Sequence, residues 1–91
     1  MPETLNVLIY DYVADILERR APHRDAHLAL LAEWKSDGRL VMAGATGDPV
    51  SGALIVFRNG ADIDAYRAAD PYVLAGLVAA HRVVRWTVVV S

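Results

Sequence analysis

The chain has 91 residues, enough for one domain spanning residues 1–91. Apolar residues make up 55% of it, and nine basic residues against eleven acidic ones give a net charge of −2. Because the charges are scattered and cysteine is absent, we expect no nucleic-acid partner, no disulfide and no thiolate or cysteine-ligated zinc chemistry.

The first half of the chain predicts a strand followed by an interrupted helix. Residues 5–12 are β-branched and aromatic, with consecutive apolar positions typical of a strand covered on both faces. From Val13 the apolar spacing becomes helical, and Pro22 interrupts the helix and restarts it close to its first turn. Gly38 supplies the glycine that ends many helices, so the second helical segment should stop near Asp37.

The second half predicts a hairpin, a short helix and a last strand. In chain order we expect a strand over 40–43, a glycine-containing connection over 44–51, a strand over 53–57, a turn at 59–60, a helix over 61–69, a break at 70–71, one or two irregular helical turns within 72–80, and a strand over 83–90.

The order β-α-β-β-α-β predicts an α+β fold of the ferredoxin-like, split β-α-β kind. Right-handed crossovers place both helices on one face of an antiparallel sheet and leave the other face open. In the last strand Val84, Trp86 and Val88 share one side, whereas Arg85 lies on the other, more mixed side. We expect the uncovered face to carry this mixed side and to be both a homodimer interface and a wall of the functional site, since a small domain has apolar surface to spare.

A few features of the sequence bear on the location of the protein and on cofactors. No apolar run is long enough to span a bilayer, and the N-terminus lacks the basic region of a secretory signal, so a cytoplasmic protein without a membrane partner is expected. His23 and His27 are spaced i, i+4, as in zinc motifs, but the glutamate of such motifs is missing. Neither a metal nor another cofactor is expected.

Short motifs along nearly the whole chain resemble the YciI-like (YCII-related) family. They are Arg24-Asp25-Ala26-His27-Leu28, Gly38-Arg39-Leu40, Ala43-Gly44, Asp70-Pro71-Tyr72-Val73 and Ala75-Gly76-Leu77. The resemblance implies a dimeric α+β barrel with His27 and Asp70 as the active-site residues. It also implies kinship with enzymes that eliminate chloride from chlorinated hydroxymuconates, and the barrel resembles that of muconolactone isomerases. Ala45 departs from the family pattern, which usually has proline there, and His23 is not part of that pattern.

His27 and Asp70 each have a purely structural alternative. His27 shares a helical face with Leu31 and Trp34, which is also where a hydrogen-bonded core histidine would lie. Asp70 before Pro71 has the pattern of a helix N-cap. A carboxylate has two oxygens, so Asp70 can cap a helix and also fix the tautomer of His27.

Four further residues are predicted to contact a ligand. Arg24, one turn before His27, suits a substrate carboxylate, and Arg85 is a second candidate for that task, although either arginine could instead pair with a surface acid. Tyr10 and Tyr72 are predicted to line the pocket, with ordinary packing as the alternative.

From these residues and the family resemblance we predict a small dimeric enzyme in which His27, oriented by Asp70, removes or shuttles a proton of a small organic acid. An isomerase and a dehydrochlorinase or related lyase both fit this chemistry. The alternatives are a non-catalytic dimer that binds a small ligand for sensing or regulation, and a dimer that serves only as an interaction surface.

Overall fold

A computed structural model of the chain describes residues 3–91. Its elements, in chain order, are strand β1 (Glu3–Tyr12), helix α1 (Ile16–Arg19), a 3₁₀ turn (Ala21–His23), helix α2 (Arg24–Ser36), strands β2 (Leu40–Thr46) and β3 (Gly52–Arg58), helices α3 (Ile63–Ala69) and α4 (Pro71–Leu74), and strand β4 (Val78–Val88). No helix within residues 3–91 is long and apolar enough to cross a bilayer.

The four strands form one antiparallel sheet in the order β2-β3-β1-β4. Strand β3 lies between β1 and β2, and β1 lies between β3 and β4, so both crossover connections skip one strand. The predicted split β-α-β arrangement is therefore confirmed.

Both faces of the sheet are apolar, as the consecutive apolar positions of β1 predicted. Leu8 and Tyr10 of β1 point toward the helices, and they pack with Trp34 of α2, Phe57 of β3 and Tyr66 of α3. The rings of Trp34, Phe57 and Tyr66 meet edge to face, with centroids 5.2 to 5.8 Å apart. This cluster fixes the position of α2 over the sheet.

The other side of the sheet, which we call the open face, is not covered by any helix within residues 3–91. Its side chains come from all four strands: Leu5, Val7, Ile9, Met42, Leu54, Val56, Val84, Trp86 and Val88. Met42, Leu54 and Trp86 remain 41 to 59% exposed there.

One sequence expectation about β4 is wrong. Trp86 pairs with Leu5 and Val84 with Val7, so the uniformly apolar side of β4 belongs to the open face. Arg85 pairs with Asn6 and shares the helix side with it. The register explains the reversal, since a shift by one residue moves every side chain to the opposite face.

Three predicted boundaries also differ: the end of β2, the end of the helical turns that follow Asp70, and the start of β4. β2 continues past Ala43 to Thr46, because pairing with β3 imposes an extended backbone on small residues of low strand propensity. The predicted helical turns of 72–80 end at Leu74, since Gly76 has a φ of 75° and redirects the chain into β4 at Val78.

Helix α2 ends where the sequence predicted. Gly38 follows it with a φ of 86°, and the next residue, Arg39, bends back over the Trp34 ring at 3.6 Å from the centroid. Arg39 Nε donates to both oxygens of Asp37 at 2.8 Å, and these bonds lower the pKa of the Asp37 carboxyl. The end of α2 is thereby fixed to the core.

Candidate active site

His27 and Asp70 are joined by a buried hydrogen bond that links α2 to the junction of α3 and α4. His27 Nδ1 lies 2.9 Å from Asp70 Oδ1. The same oxygen accepts a bond from the backbone N–H of Tyr72 at 3.0 Å, which makes Asp70 the N-cap of α4. Asp70 is fully buried and His27 is 6% exposed. The same oxygen atom therefore performs both of the roles considered for Asp70: it caps a helix, and it binds the imidazole.

Asp70 Oδ2 accepts a hydrogen bond from the Tyr10 hydroxyl at 2.9 Å. Burial and the neighbouring Asp70 carboxylate both raise the pKa of Tyr10, so the phenol keeps its proton and donates it. An ionised carboxylate only accepts hydrogen bonds, so the hydrogen that His27 shares with Asp70 belongs to Nδ1. In the neutral form of the imidazole the other ring nitrogen, Nε2, then carries a lone pair.

The ring of His27 is held from its face as well as from its edge. It stacks on the Tyr72 ring with centroids 3.7 Å apart and planes 3° from parallel. Tyr12 in turn meets the Tyr72 ring edge to face, with centroids 5.8 Å apart. The orientation of the imidazole is therefore set by contacts in two perpendicular directions.

A cavity of about 240 Å³ lies beside His27 on the helix side of the sheet. The residues lining it are Tyr12, Arg20, Arg24, His27, Leu28, Leu31, Ala43, Gly44, Ala45, Val50, Ala53, Ile55 and Tyr72. The small side chains of β2 leave this space open, because Ala43 and Ala45 do not reach α2. The prediction that the open face forms a wall of the site is wrong, since the dyad and cavity lie on the opposite side of the sheet.

Comparison with known proteins identifies the family of this chain. The model of the YCII-related domain family matches residues 4–87. The chain belongs to the YCII-related domain family. No curated protein matches the chain.

A solved structure shares the fold of this YCII-related chain. It is 5-chloro-2-hydroxyhydroquinone dehydrochlorinase from Burkholderia phenoliruptrix AC1100, in complex with 2,5-dihydroxybenzoquinone. The two chains are 25% identical, with a TM-score of 0.75, over 90% of this chain and 92% of the other.

Of the four residues predicted to contact a ligand, two line the cavity and two do not. Arg24 and Tyr72 line the cavity together with His27. Tyr10 lies behind Asp70, is 1% exposed, and is not among the lining residues. Arg85 is an exposed residue of β4, and it does not line the cavity either.

Two residues with polar side chains that line the cavity, Tyr12 and Arg20, were not identified from the sequence. Tyr12 follows Tyr10 by two positions on the same strand face, an alternation that could have indicated it. Arg20 precedes Arg24 by four positions, but Pro22 between them obscures their common orientation. His23 is half-buried and lies outside the lining, and within residues 3–91 no three metal-ligating side chains come together.

Proposed function

We propose that this YCII-related chain is a small-molecule enzyme in which His27 transfers a proton on a small ring compound bearing acidic oxygens. The main support for the proposal is that His27 lines a cavity and that its Nδ1 lies 2.9 Å from Asp70 Oδ1. An imidazole whose Nδ1 donates to a carboxylate presents Nε2 as a base and stabilises the imidazolium that forms.

Elimination of hydrogen chloride is the reaction that the neighbouring structure suggests. The ring carbon that bears chlorine first takes up a proton from one of the substrate's own hydroxyl groups, which gives the keto tautomer with hydrogen and chlorine on the same carbon. His27 Nε2 then takes the proton of a second, conjugated hydroxyl group. The O–H electron pair forms a C=O bond, the ring double bond shifts toward the chlorine-bearing carbon, and the C–Cl bond breaks with both electrons leaving on chloride. The products are imidazolium, chloride and a quinone-like compound, so the step balances without a redox partner. An isomerase would use the same base and return the proton to a different carbon.

The substrate type follows from the named activity of the neighbour and from the size of the cavity. The neighbour is named for 5-chloro-2-hydroxyhydroquinone and was solved with 2,5-dihydroxybenzoquinone, both single-ring compounds with acidic oxygens. A cavity of about 240 Å³ is smaller than those that hold drug-sized ligands, and it suits one ring.

Two assays test the proposal. The first measures chloride released from 5-chloro-2-hydroxyhydroquinone, corrected for the reaction without protein. The second uses NMR to follow exchange of the ring hydrogens of 2,5-dihydroxybenzoquinone with deuterium oxide, which reports proton transfer without any elimination. We expect catalysis in at least the exchange assay. Binding of the quinone without activity in either assay would overturn the proposal in favour of a non-catalytic ligand-binding protein.

We also propose that the protein is a homodimer that pairs through the open face. The apolar side chains there come from all four strands, and a second cavity of about 300 Å³ lies among them, lined by Met42, Ala43, Gly44, Ala45, Thr46, Leu54, Val56 and Trp86. Extended exposed apolar surfaces usually mark interaction sites. A second copy is the occupant that best fits, since a two-fold axis places the same apolar patch on both partners.

Trp86→Asp is expected to convert the dimer into a monomer. The substitution places a charge in the middle of the apolar contact, where it would be desolvated without a partner. Light scattering at micromolar concentration should give twice the 9.9 kDa chain mass for the wild type and the single mass for the variant. Val83→Asp is the matched control, because Val83 is similarly exposed on the same strand but points to the helix side. A monomeric wild type would contradict the dimer.

The cytoplasmic location and the lack of a nucleic-acid partner remain predictions from the sequence.

A further inference from the structure

The charged side chains lining the cavity beside His27 are all of one sign. Arg20 and Arg24 line it, and no aspartate or glutamate does. Asp70 is close by, but it lies behind the imidazole, fully buried, with its oxygens occupied by three donors. A ligand in the cavity therefore meets positive charge directly and the carboxylate only through His27.

Neither guanidinium has an acidic partner in the described part of the chain. The ion pairs that arginines form within residues 3–91 involve other residues: Arg19 with Asp15, Arg39 with Asp37, and Arg58 with Glu3. Two unpaired guanidiniums at one concave site create a positive potential that a bound anion would neutralise.

Tyr12 adds a neutral donor to the same wall. It lines the cavity and is half-buried, and its hydroxyl has no hydrogen-bond partner among residues 3–91. Burial raises the pKa of this phenol, with Asp70 adding to the effect, so the hydroxyl stays protonated. Arg20 and Arg24 are close enough to act on it electrostatically. The three groups thus provide hydrogen-bond donors on one side of the space next to His27.

We propose that Arg20, Arg24 and Tyr12 form an anion subsite, and that the substrate is a monocyclic organic anion held by its charged oxygens against these donors. This inference rests on the proposed function and specifies its substrate class. The subsite would also stabilise the enolate or phenolate that forms when a proton leaves the ring compound. Arg20 is accordingly a residue that determines specificity, in addition to Arg24.

The test compares a charged probe with a neutral one by calorimetry. 2,5-Dihydroxybenzoquinone is a vinylogous acid and is anionic at neutral pH, whereas 2,5-dimethoxybenzoquinone has a similar ring without charge. We expect the anion to bind more tightly, and its affinity to fall at high ionic strength. Arg20→Gln and Arg24→Gln should each weaken its binding by about 10- to 100-fold, the usual range for losing a hydrogen bond to a charged group.

Arg19→Gln is the matched control, because Arg19 is adjacent in sequence but exposed, paired with Asp15 and outside the cavity lining. Its affinity should stay within about 2-fold of the wild type, as for surface ion pairs in general. Equal affinity of Arg20→Gln and Arg19→Gln, or equal binding of the two probes, would overturn the anion subsite.

The deuterium-exchange assay separates this inference from the proposed function. Unchanged binding in Arg20→Gln, with exchange that still requires His27, would remove the anion subsite and leave the proposed enzyme. Binding that requires Arg20, with exchange unaffected by loss of His27, would support the subsite and remove the proposed catalytic role.

Discussion

Replacing His27 by glutamine is expected to slow deuterium exchange and chloride release by about 10²- to 10⁴-fold, the usual contribution of general acid–base catalysis. Glutamine is similar in length and polar, so it can still reach the Asp70 carboxylate. It cannot accept and return a proton near neutral pH, and this is the property that the reaction requires. The measurement is the turnover rate at saturating substrate, together with a far-UV spectrum showing that the fold is retained.

His23→Gln provides the control for His27→Gln. His23 precedes His27 by one helical turn, is half-buried, and does not line the cavity, so its loss should leave the rate within about 2-fold. Nitrogen NMR of the wild type should also show His27 protonated on Nδ1, since that atom faces Asp70. Full activity in His27→Gln would show that the dyad is a structural contact only.

Replacing Asp70 by alanine is expected to lower the free energy of unfolding by about 3 to 9 kcal/mol. Three buried donors would lose their acceptor: the Tyr10 hydroxyl, His27 Nδ1 and the backbone N–H of Tyr72. Each unsatisfied buried group costs about 1 to 3 kcal/mol, and a domain of this kind is stable by only about 5 to 15 kcal/mol in total. Urea unfolding at one fixed protein concentration measures the loss.

Asp62→Ala is the matched control for Asp70→Ala. Asp62 is also an aspartate N-cap, and its side chain accepts a hydrogen bond from the backbone N–H of Ala65 at 3.0 Å, but it is exposed and has no other side-chain hydrogen bond within residues 3–91. Its replacement should cost about 1 kcal/mol. Similar losses in the two variants would mean that Asp70 acts as an ordinary cap and that its bonds to Tyr10 and His27 contribute little.

Much of the fold could be predicted because local signals agreed with the global arrangement. The change from strand to helical spacing near Val13, the glycine at 38 and the Asp70-Pro71 break marked most of the connections. The misplaced boundaries arose where pairing overrides propensity. Ala45 is a poor strand former yet lies in β2, because β3 supplies its hydrogen-bond partners. The side of β4 that faces solvent depends on register, which no local pattern in the sequence determines.

Residues of the candidate site could be predicted where a single helix or a single motif determines their position. The helical spacing to Leu31 and Trp34 correctly placed His27 toward the sheet, and the family resemblance indicated Asp70 as its partner. Tyr10 was assigned to the ligand, although the structure places it behind Asp70. Its role depends on a contact across 60 positions in sequence, which only the folded chain reveals.

Three consecutive residues determine how the imidazole is presented. Asp70 holds the ring edge at Nδ1, Pro71 begins α4, and Tyr72 supplies both the N–H that fixes Asp70 and the ring that covers the imidazole face. The carboxylate prevents rotation within the ring plane, and the stacked phenol prevents tilting. The segment Asp70-Pro71-Tyr72 therefore fixes the imidazole at its edge and on its face, and β1 supports both contacts, since Tyr10 binds the second carboxylate oxygen and Tyr12 packs on the Tyr72 ring. The direction of the free nitrogen thus depends on one short stretch of chain and on the strand beneath it.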